Sequence, residues 1–210
     1  MVKPYLSVII PTHNNPNQLP LTLIDVDKHL SQQDYSYEII VVNDGSNDNT
    51  ANIIQKLTDL IKNLKLADNA VEEGFGSAIR LGMLTAKGNW RVIMDQNNIT
   101  PITEFNKMSL YFREGLDVFI GSNGKDFWCF SEIAAQQIFS LTKSTRWAFR
   151  YEFTVLAKIL GLKIKYLTPI FKRRQLKNIG KPATWTRWLW EFIKIRWRVW
   201  RKLYKPSQLW

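Results

Sequence analysis

A chain of 210 residues with 45% hydrophobic residues is long and apolar enough for one domain with a substantial core plus an appendage, which excludes a disordered chain. The net charge of +11 sits entirely in one place: residues 172–210 hold 12 Lys or Arg against the single acid Glu191, leaving 17 basic and 17 acidic residues in 1–171. The single cysteine, Cys129, excludes an internal disulfide, His13 and His29 lack partners at zinc-ligand spacing, and neither a signal peptide nor a transmembrane run of about 18 apolar residues is expected.

Leu6 to Ile10 is a short Val/Ile-rich run that reads as a buried parallel strand, stopped by Pro11 and followed by a turn-rich loop from Asn14 to Gln18. Leu19 to Leu30 has helical spacing. Glu38 to Val42 is a second buried strand, delivering the polar elbow Asn43-Asp44-Gly45-Ser46. Asp48 or Thr50 is positioned to cap a helix running to about Asn63, with Ile53, Ile54, Leu57, Leu60, Ile61 and Leu64 in helical period. The stretch from Glu73 to Gly82, with Gly74 and Gly76, reads as a glycine turn opening a helix whose first N–H groups suit phosphate, but a glycine pair alone is a weak signal and an ordinary helix start is the simpler explanation. Trp90 to Met94 is a strand ending in Asp95-Gln96-Asn97-Asn98. Leu116 to Ile120 and Phe127 to Phe130 read as strands, Glu132 to Phe139 and Phe149 to Leu160 as helices, and Leu162 to Leu167 as a last strand. Strands alternating with helices imply an α/β domain with a mostly parallel sheet over 1–171. A basic linker, 172–183, and an arm, 184–210, follow.

The order of these elbows resembles family 2 glycosyltransferases of the GT-A fold: Pro11-Thr12-His13-Asn14, Asp44-Gly45-Ser46, the glycine turn, and Asp95 each close an element in that sequence. Arg146 to Phe153 and Phe127 to Ala135 are similar to two segments of the dolichyl-phosphate glucosyltransferase branch. The resemblance implies that Pro11, Thr12 and Asn14 line a nucleobase and ribose pocket. Asp44 in the Asp44-Gly45-Ser46 loop would accept hydrogen bonds from the donor nucleoside, and Gly76, Ser77 and Arg80 would lie near the donor. Asp95, with Asn97, would stand beside the ribose and a divalent metal, Mg²⁺ or Mn²⁺, and Arg146 would serve the acceptor phosphate. Loop caps for Asp44 and Asp95, and a surface ion pair for Arg146, are the structural alternatives.

Several positions depart from the family pattern. Asn15 replaces the usual Glu, Phe75 the usual Lys between the glycines, Asn97 the second aspartate of the DxD motif, and Arg150 the aspartate after Arg146-Trp147-Ala148-Phe149. The span from Gly121 to Phe127 is about thirty residues shorter than the resembled pattern leads one to expect. An amide at 97 offers an oxygen without full charge, so a weakened metal site is expected. A polyprenyl phosphate acceptor is already anionic and needs little base assistance, with Arg146 and Arg150 as guanidinium donors to it; a sugar acceptor would need a base, for which Glu152 and Asp126 are the candidates.

On a helix over 185–205, Arg187, Glu191, Lys194, Arg198, Arg201, Lys202 and Lys205 fall in one sector of about 100°, with Trp185, Trp188, Leu189, Phe192, Ile193, Ile195, Val199, Trp200 and Leu203 opposite. That pattern suits an anionic membrane surface contacted through 184–205; an apolar face packed on the domain is the structural alternative, and the two can coexist if only part of the face is covered. Basic and aromatic residues together also suit single-stranded nucleic acid, but no nucleic-acid module is present and none is expected as partner. The expectation is a hexosyltransferase that moves a sugar from a nucleotide sugar, a UDP-sugar by preference, to a polyprenyl-phosphate-type lipid, with inversion, peripherally at the cytoplasmic membrane face. The alternative is an impaired relative that binds nucleotide or a partner without transfer.

Overall fold

The computed structural model describes residues 3–121, 127–146, 148–167 and 185–204, with only the backbone described for 185–189. The expected linker 172–183, Asp126, Trp147, Lys205 and most of the short span after Gly121 lie outside the described residues.

Seven strands form one sheet: β1 (Leu6–Thr12), β2 (Tyr37–Asp44), β3 (Leu64–Asn69), β4 (Trp90–Met94), β5 (Val118–Gly121), β6 (Phe127–Ser131) and β7 (Ile164–Leu167). Their spatial order is β3-β2-β1-β4-β6-β5-β7. All neighbours run parallel except β6, which is antiparallel to both β4 and β5. The helices are α1 (Leu19–Leu30), α2 (Thr50–Leu60), α3 (Phe75–Thr85), α4 (Glu104–Ser109), α5 (Glu132–Leu141), α6 (Phe149–Ile159) and α7 (Trp185–Trp200).

The unbroken apolar runs of β1 and β2 follow from burial on both faces. Val8, Ile10, Ile39 and Val41 pack with Leu23, Val26 and Phe105 on one side, while Ile9, Ile40 and Val42 pack with Ile79, Met83 and Phe153 on the other. Cys129 is buried in the first of these layers, and burial pushes its thiol well up, which leaves it protonated and unreactive.

Some boundaries differ from the sequence expectation. Pro11 does not stop β1; it pairs with Val42 inside the strand. Pairing to β4 ends at Ile9, so β1 has an open side there, where a residue without an N–H is tolerated. The second helix ends at Leu60, not near Asn63, and Leu64 opens β3. Asn49 is the N-cap of α2 without a side-chain bond of its own; Asp48 instead accepts from the Thr50 N–H at 2.9 Å.

The C-terminal helix stops at Trp200 and does not continue to residue 205. Lys202 takes a left-handed φ of 51°. The Leu203 N–H donates to the Arg198 carbonyl (3.0 Å) and the Lys202 N–H to that of Val199 (3.0 Å), a Schellman turn that folds Tyr204 back onto the body. Ile195 and Tyr204 are buried, and Tyr204 and Val199 join the layer containing Phe149, Phe153 and Leu156. Burying Ile195 alone is worth about 2 kcal/mol. Trp190, Ile193, Trp197, Trp200 and Leu203 point outward.

Candidate active site

The chain runs outward from β1 through β2 to β3, then returns to place β4 on the other side of β1. That reversal opens a crevice at the carboxyl ends of β1 and β4, where open α/β sheets take ligands. A cleft of about 380 Å³ occupies it, and Pro11, Thr12, Asp44, Asp95, Asn97 and Arg146 all line it. Residues 51 positions apart in sequence, Asp44 and Asp95, therefore share one cavity.

Asp44 is 4% exposed, and its carboxylate organises the turn between β3 and α3. Oδ1 accepts from Asn69 Nδ2 (2.9 Å) and the Glu73 N–H (3.0 Å), and Oδ2 from the Gly74 N–H (2.8 Å). Of about four acceptor positions on a carboxylate, three are thus occupied and one is left for a ligand. Gly74 has φ of 112°, and a Cβ there would lie 2.7 Å from the Thr145 carbonyl oxygen.

The Asn14 and Ser46 loops brace each other beside the cleft, without lining it. The Asn14 N–H donates to Ser46 Oγ (3.0 Å), the Asn47 N–H donates to Asn14 Oδ1 (3.0 Å), and Asn14 and Gly45 adopt left-handed φ of 47° and 60°. A Cβ on Gly45 would sit 2.3 Å from the Glu72 nitrogen, so only glycine allows this close approach.

The first N–H groups of α3 do not face a phosphate site. The Gly76 N–H donates to the Thr145 carbonyl at 2.7 Å and the Ser77 N–H reaches the same oxygen at 3.1 Å. Ser77 Oγ donates to Glu73. The 143–146 loop therefore caps this helix, because Gly76 lets its backbone approach to a distance a side chain would forbid. Arg80 is exposed, and its Nε donates to the Phe139 carbonyl (3.0 Å), away from the cleft.

Asp95 is half-buried at the end of β4, where its oxygens accept from the Asn97 N–H (2.8 Å) and the Ile99 N–H (2.9 Å). Asn97 Oδ1 accepts from Asn15 Nδ2 at 3.2 Å. Arg146 is exposed and turned to the cleft, whereas the Arg150 guanidinium lies over the Trp128 ring, 4.9 Å from its centroid, outside the cleft lining. Glu152 does not reach the cleft. It is fully buried on α6, with its oxygens taken by the Lys143 and Ser144 N–H groups, Arg198 and Tyr204. A carboxylate so surrounded has no lone pair directed at a reacting group, so the geometry does not place it as a base.

Among the further residues that line the crevice are His13, Glu72, Phe75, Gln96 and Ile99. His13 Nδ1 donates to the Asp44 carbonyl (2.7 Å), which leaves Nε2 to accept from Asn14 Nδ2 (3.0 Å). Thr12 Oγ1 donates to Gln96 Oε1 (2.5 Å), and Thr22 Oγ1 to the Gln96 carbonyl (2.9 Å), which pins the β4 elbow to β1 and α1. His13 and Gln96 lie within the strand-end motifs and were legible from position; Glu72 and Ile99 carry no sequence signal.

Among the described residues no group of three or more His, Cys, Asp or Glu is arranged to hold a metal. The donor set nevertheless fits an ion brought by a diphosphate, since Mg²⁺ is commonly held by one or two carboxylates plus substrate phosphates. Asp95 would supply a carboxylate and Asn97 an amide oxygen, which is already engaged with Asn15.

Comparison with known proteins follows the same lines. The model of the family "Glycosyl transferase family 2" matches residues 7–175. A dolichyl-phosphate beta-glucosyltransferase of Dictyostelium discoideum is 28% identical, the match covering 76% of this chain and 64% of that protein. The undecaprenyl-phosphate 4-deoxy-4-formamido-L-arabinose transferase of Proteus mirabilis is 32% identical over 67% of this chain and 44% of its own length. The chain thus spans less than two thirds of these relatives. Among solved structures, a mannosyltransferase of Pyrobaculum calidifontis in complex with GDP-Man and Mn²⁺ superposes with a TM-score of 0.63 at 16% identity, covering 84% of this chain and 59% of that one. S. aureus TarS in complex with UDP-GlcNAc gives 0.62 at 19% identity, covering 85% and 61%. These likenesses establish the GT-A fold. With the family model extending across the sheet and over every strand end that builds the cleft, the chain belongs to glycosyl transferase family 2.

Proposed function

We propose that this cleft transfers a hexose, with inversion, from a nucleotide sugar, a UDP-sugar by preference, to a polyprenyl- or dolichyl-phosphate-type acceptor at the cytoplasmic face of a membrane. The observation that carries this reading is the convergence of Asp44, Asp95 and Arg146 on one crevice at the sheet's switch point. The names of the similar curated proteins, which act on dolichyl and undecaprenyl phosphates, support the acceptor class. Residues 1–171 would form the transferase domain, 172–183 the linker and 184–210 the arm.

Pro11, Thr12 and Asp44 bind and orient the nucleoside, Asp44 through its remaining acceptor position. Asn14, Gly45 and Ser46 hold that pocket's rim in shape, while Gly76 and Ser77 shape the opposite wall from behind. Asp95 faces the ribose and the diphosphate. Asp95 and Asn97 would hold a divalent ion, which would supply Lewis-acid stabilisation of the leaving group, and the uncharged Asn97 amide would make that site weaker than a paired-carboxylate one. Arg146 holds the acceptor phosphate by charge-assisted hydrogen bonds. An anionic phosphate oxygen forms the bond to the anomeric carbon as the bond from that carbon to the donor's β-phosphate oxygen breaks, and the electron pair leaves with the nucleoside diphosphate. No proton need be removed from such an acceptor, so the transfer does not depend on the buried Glu152 as a base.

Trp190, Ile193, Trp197 and Trp200 support peripheral membrane association, since they form an exposed aromatic stripe with Arg196 and Arg201 beside it. Among the described residues no helix is long and apolar enough to cross a membrane. A second reading, nucleotide binding without transfer, is favoured by one observation: the Asn97 oxygen is already engaged by Asn15. Donor, Mn²⁺ and a polyprenyl phosphate decide between the two. Release of nucleoside diphosphate with formation of glycolipid supports transfer; donor binding by calorimetry with no release across UDP- and GDP-sugars supports the second reading.

A further inference from the structure

Glu152 is a fully buried carboxylate that the transfer reaction does not use. Its four hydrogen bonds come from two different parts of the chain. Oε2 accepts from the Lys143 N–H (3.0 Å) and the Ser144 N–H (2.7 Å), in the loop between α5 and α6. Oε1 accepts from the Tyr204 hydroxyl and from Arg198 Nη1 (3.5 Å), both on the C-terminal helix and its closing turn. Four donors match the acceptor capacity of a carboxylate, so neither side is replaceable without exposing a buried charge.

The same loop continues into the cleft. Thr145, next along, gives its carbonyl to Gly76 and Ser77 at the start of α3, and Arg146 then joins the cleft lining that Asp95 also contributes to. Gly74 and Gly76 are tight against the Ser144 and Thr145 carbonyls, each leaving 2.7 Å for an added Cβ, so a shift of the loop is passed to the wall without slack. Helix α7 meanwhile has two working sides. Ile195, Val199 and Tyr204 face the body, and Trp190, Ile193, Trp197 and Trp200 face away. Seating on the body and contact with an outer surface are therefore compatible in one helix.

We propose that Glu152 is a positioning residue through which the docked C-terminal helix sets the loop that carries Arg146, so that the acceptor end of the cleft is assembled only when the arm is seated. The kinetic part rests on the transfer reading above; the mechanical part does not. Tyr204→Phe keeps the buried ring and removes one donor, and Arg198→Gln removes the charge of the other.

Hydrogen exchange on the full-length chain tests the mechanical part. In both variants the amides of Lys143, Ser144, Gly76 and Ser77 should exchange about tenfold faster or more, while those of Ile9 and Val41 in the central strands stay unchanged. Unchanged exchange at the loop, or equal acceleration in the central strands, overturns the proposal. Steady-state kinetics with a short-chain polyprenyl phosphate test the rest: the acceptor KM should rise severalfold, with donor affinity by calorimetry held within twofold. Faster loop exchange with an unaltered acceptor KM overturns the positioning role. If the parent protein transfers nothing, the exchange result still stands alone, so failure of the transfer reading and failure of the latch are distinguishable.

Discussion

Asn15 Nδ2 donates to Asn97 Oδ1 at 3.2 Å, so two amides meet at the mouth of the cleft where the resembled motifs carry two acids. A Glu and an Asp at this separation would repel one another unless a cation lay between them, whereas two amides hold each other without one. The amide pair keeps the β1 and β4 elbows joined.

Restoring the charge should restore the metal. Asn97→Asp places a second carboxylate beside Asp95, and Asn15 can still donate to it. Mn²⁺ affinity in the presence of a UDP-sugar should rise about tenfold or more, roughly 1.4 kcal/mol. Calorimetric Mn²⁺ titration of both proteins reads this directly, and equal affinities would remove Asn97 from the metal site.

Asp95→Ala should reduce turnover about a hundredfold or more, the scale expected when a group stabilising transition-state charge is lost. Its bonds to the Asn97 and Ile99 N–H groups also shape the elbow, so circular dichroism and thermal melting must accompany the assay. Unchanged turnover in a folded variant rules out the assigned role.

Gly76→Ala should disturb the cleft from behind. Its Cβ would lie 2.7 Å from the Ser144 oxygen and 2.9 Å from the Thr145 carbonyl carbon, both backbone atoms. Either the loop retreats, breaking the cap on α3, or strain of about 1–3 kcal/mol remains. Urea denaturation should report that loss, together with weaker acceptor binding.

The exposed tryptophans test the arm more cleanly than a truncation would, because deletion also strips Tyr204 and Arg198 from Glu152. Trp190→Ala, Trp197→Ala and Trp200→Ala combined should cost most of the binding to anionic liposomes, with a melting temperature within a few degrees of the parent's, since these side chains are largely outside the core. Full retention on liposomes would show that the stripe is not the contact.

Glu38 predicts an acid-limb dependence at the end of the sheet remote from the cleft. Burial pushes its carboxyl up, but hydrogen bonds from Lys65, Ser7 and the Lys87 N–H outweigh this and hold it below its ordinary value. A carboxyl lowered on folding stabilises fully above its unfolded pKa, and that contribution is lost as pH falls through the folded value. Glu38→Gln should therefore cost about 1–2 kcal/mol at neutral pH, and its deficit should shrink below about pH 4. Denaturant midpoints across that range check the sign.

The strands nearest the site were the most legible part of the chain. The Trp90–Met94 strand and the Leu19–Leu30 helix have the bounds their residues announce, because a run buried on both sides must be apolar throughout and a surface helix must show its period. The edge strand β3 was hidden: Leu64 continues the apolar period of α2, and Lys65, Asp68 and Asn69 are ordinary at a half-exposed edge. The six-residue α4 is too short to display any period.

Residue types and their order alone determined the α/β class, the polar strand ends and the division between a neutral body and a basic, tryptophan-rich tail, since each is a property of neighbouring residues. Only the folded chain decided that Asp44 spends most of its carboxylate on the glycine turn, that Thr145 occupies the helix start, and that Glu152 serves the arm in place of the cleft. Those outcomes depend on hydrogen bonds between residues 8 to 69 positions apart, and a buried donor or acceptor takes whichever partner the packing brings within reach.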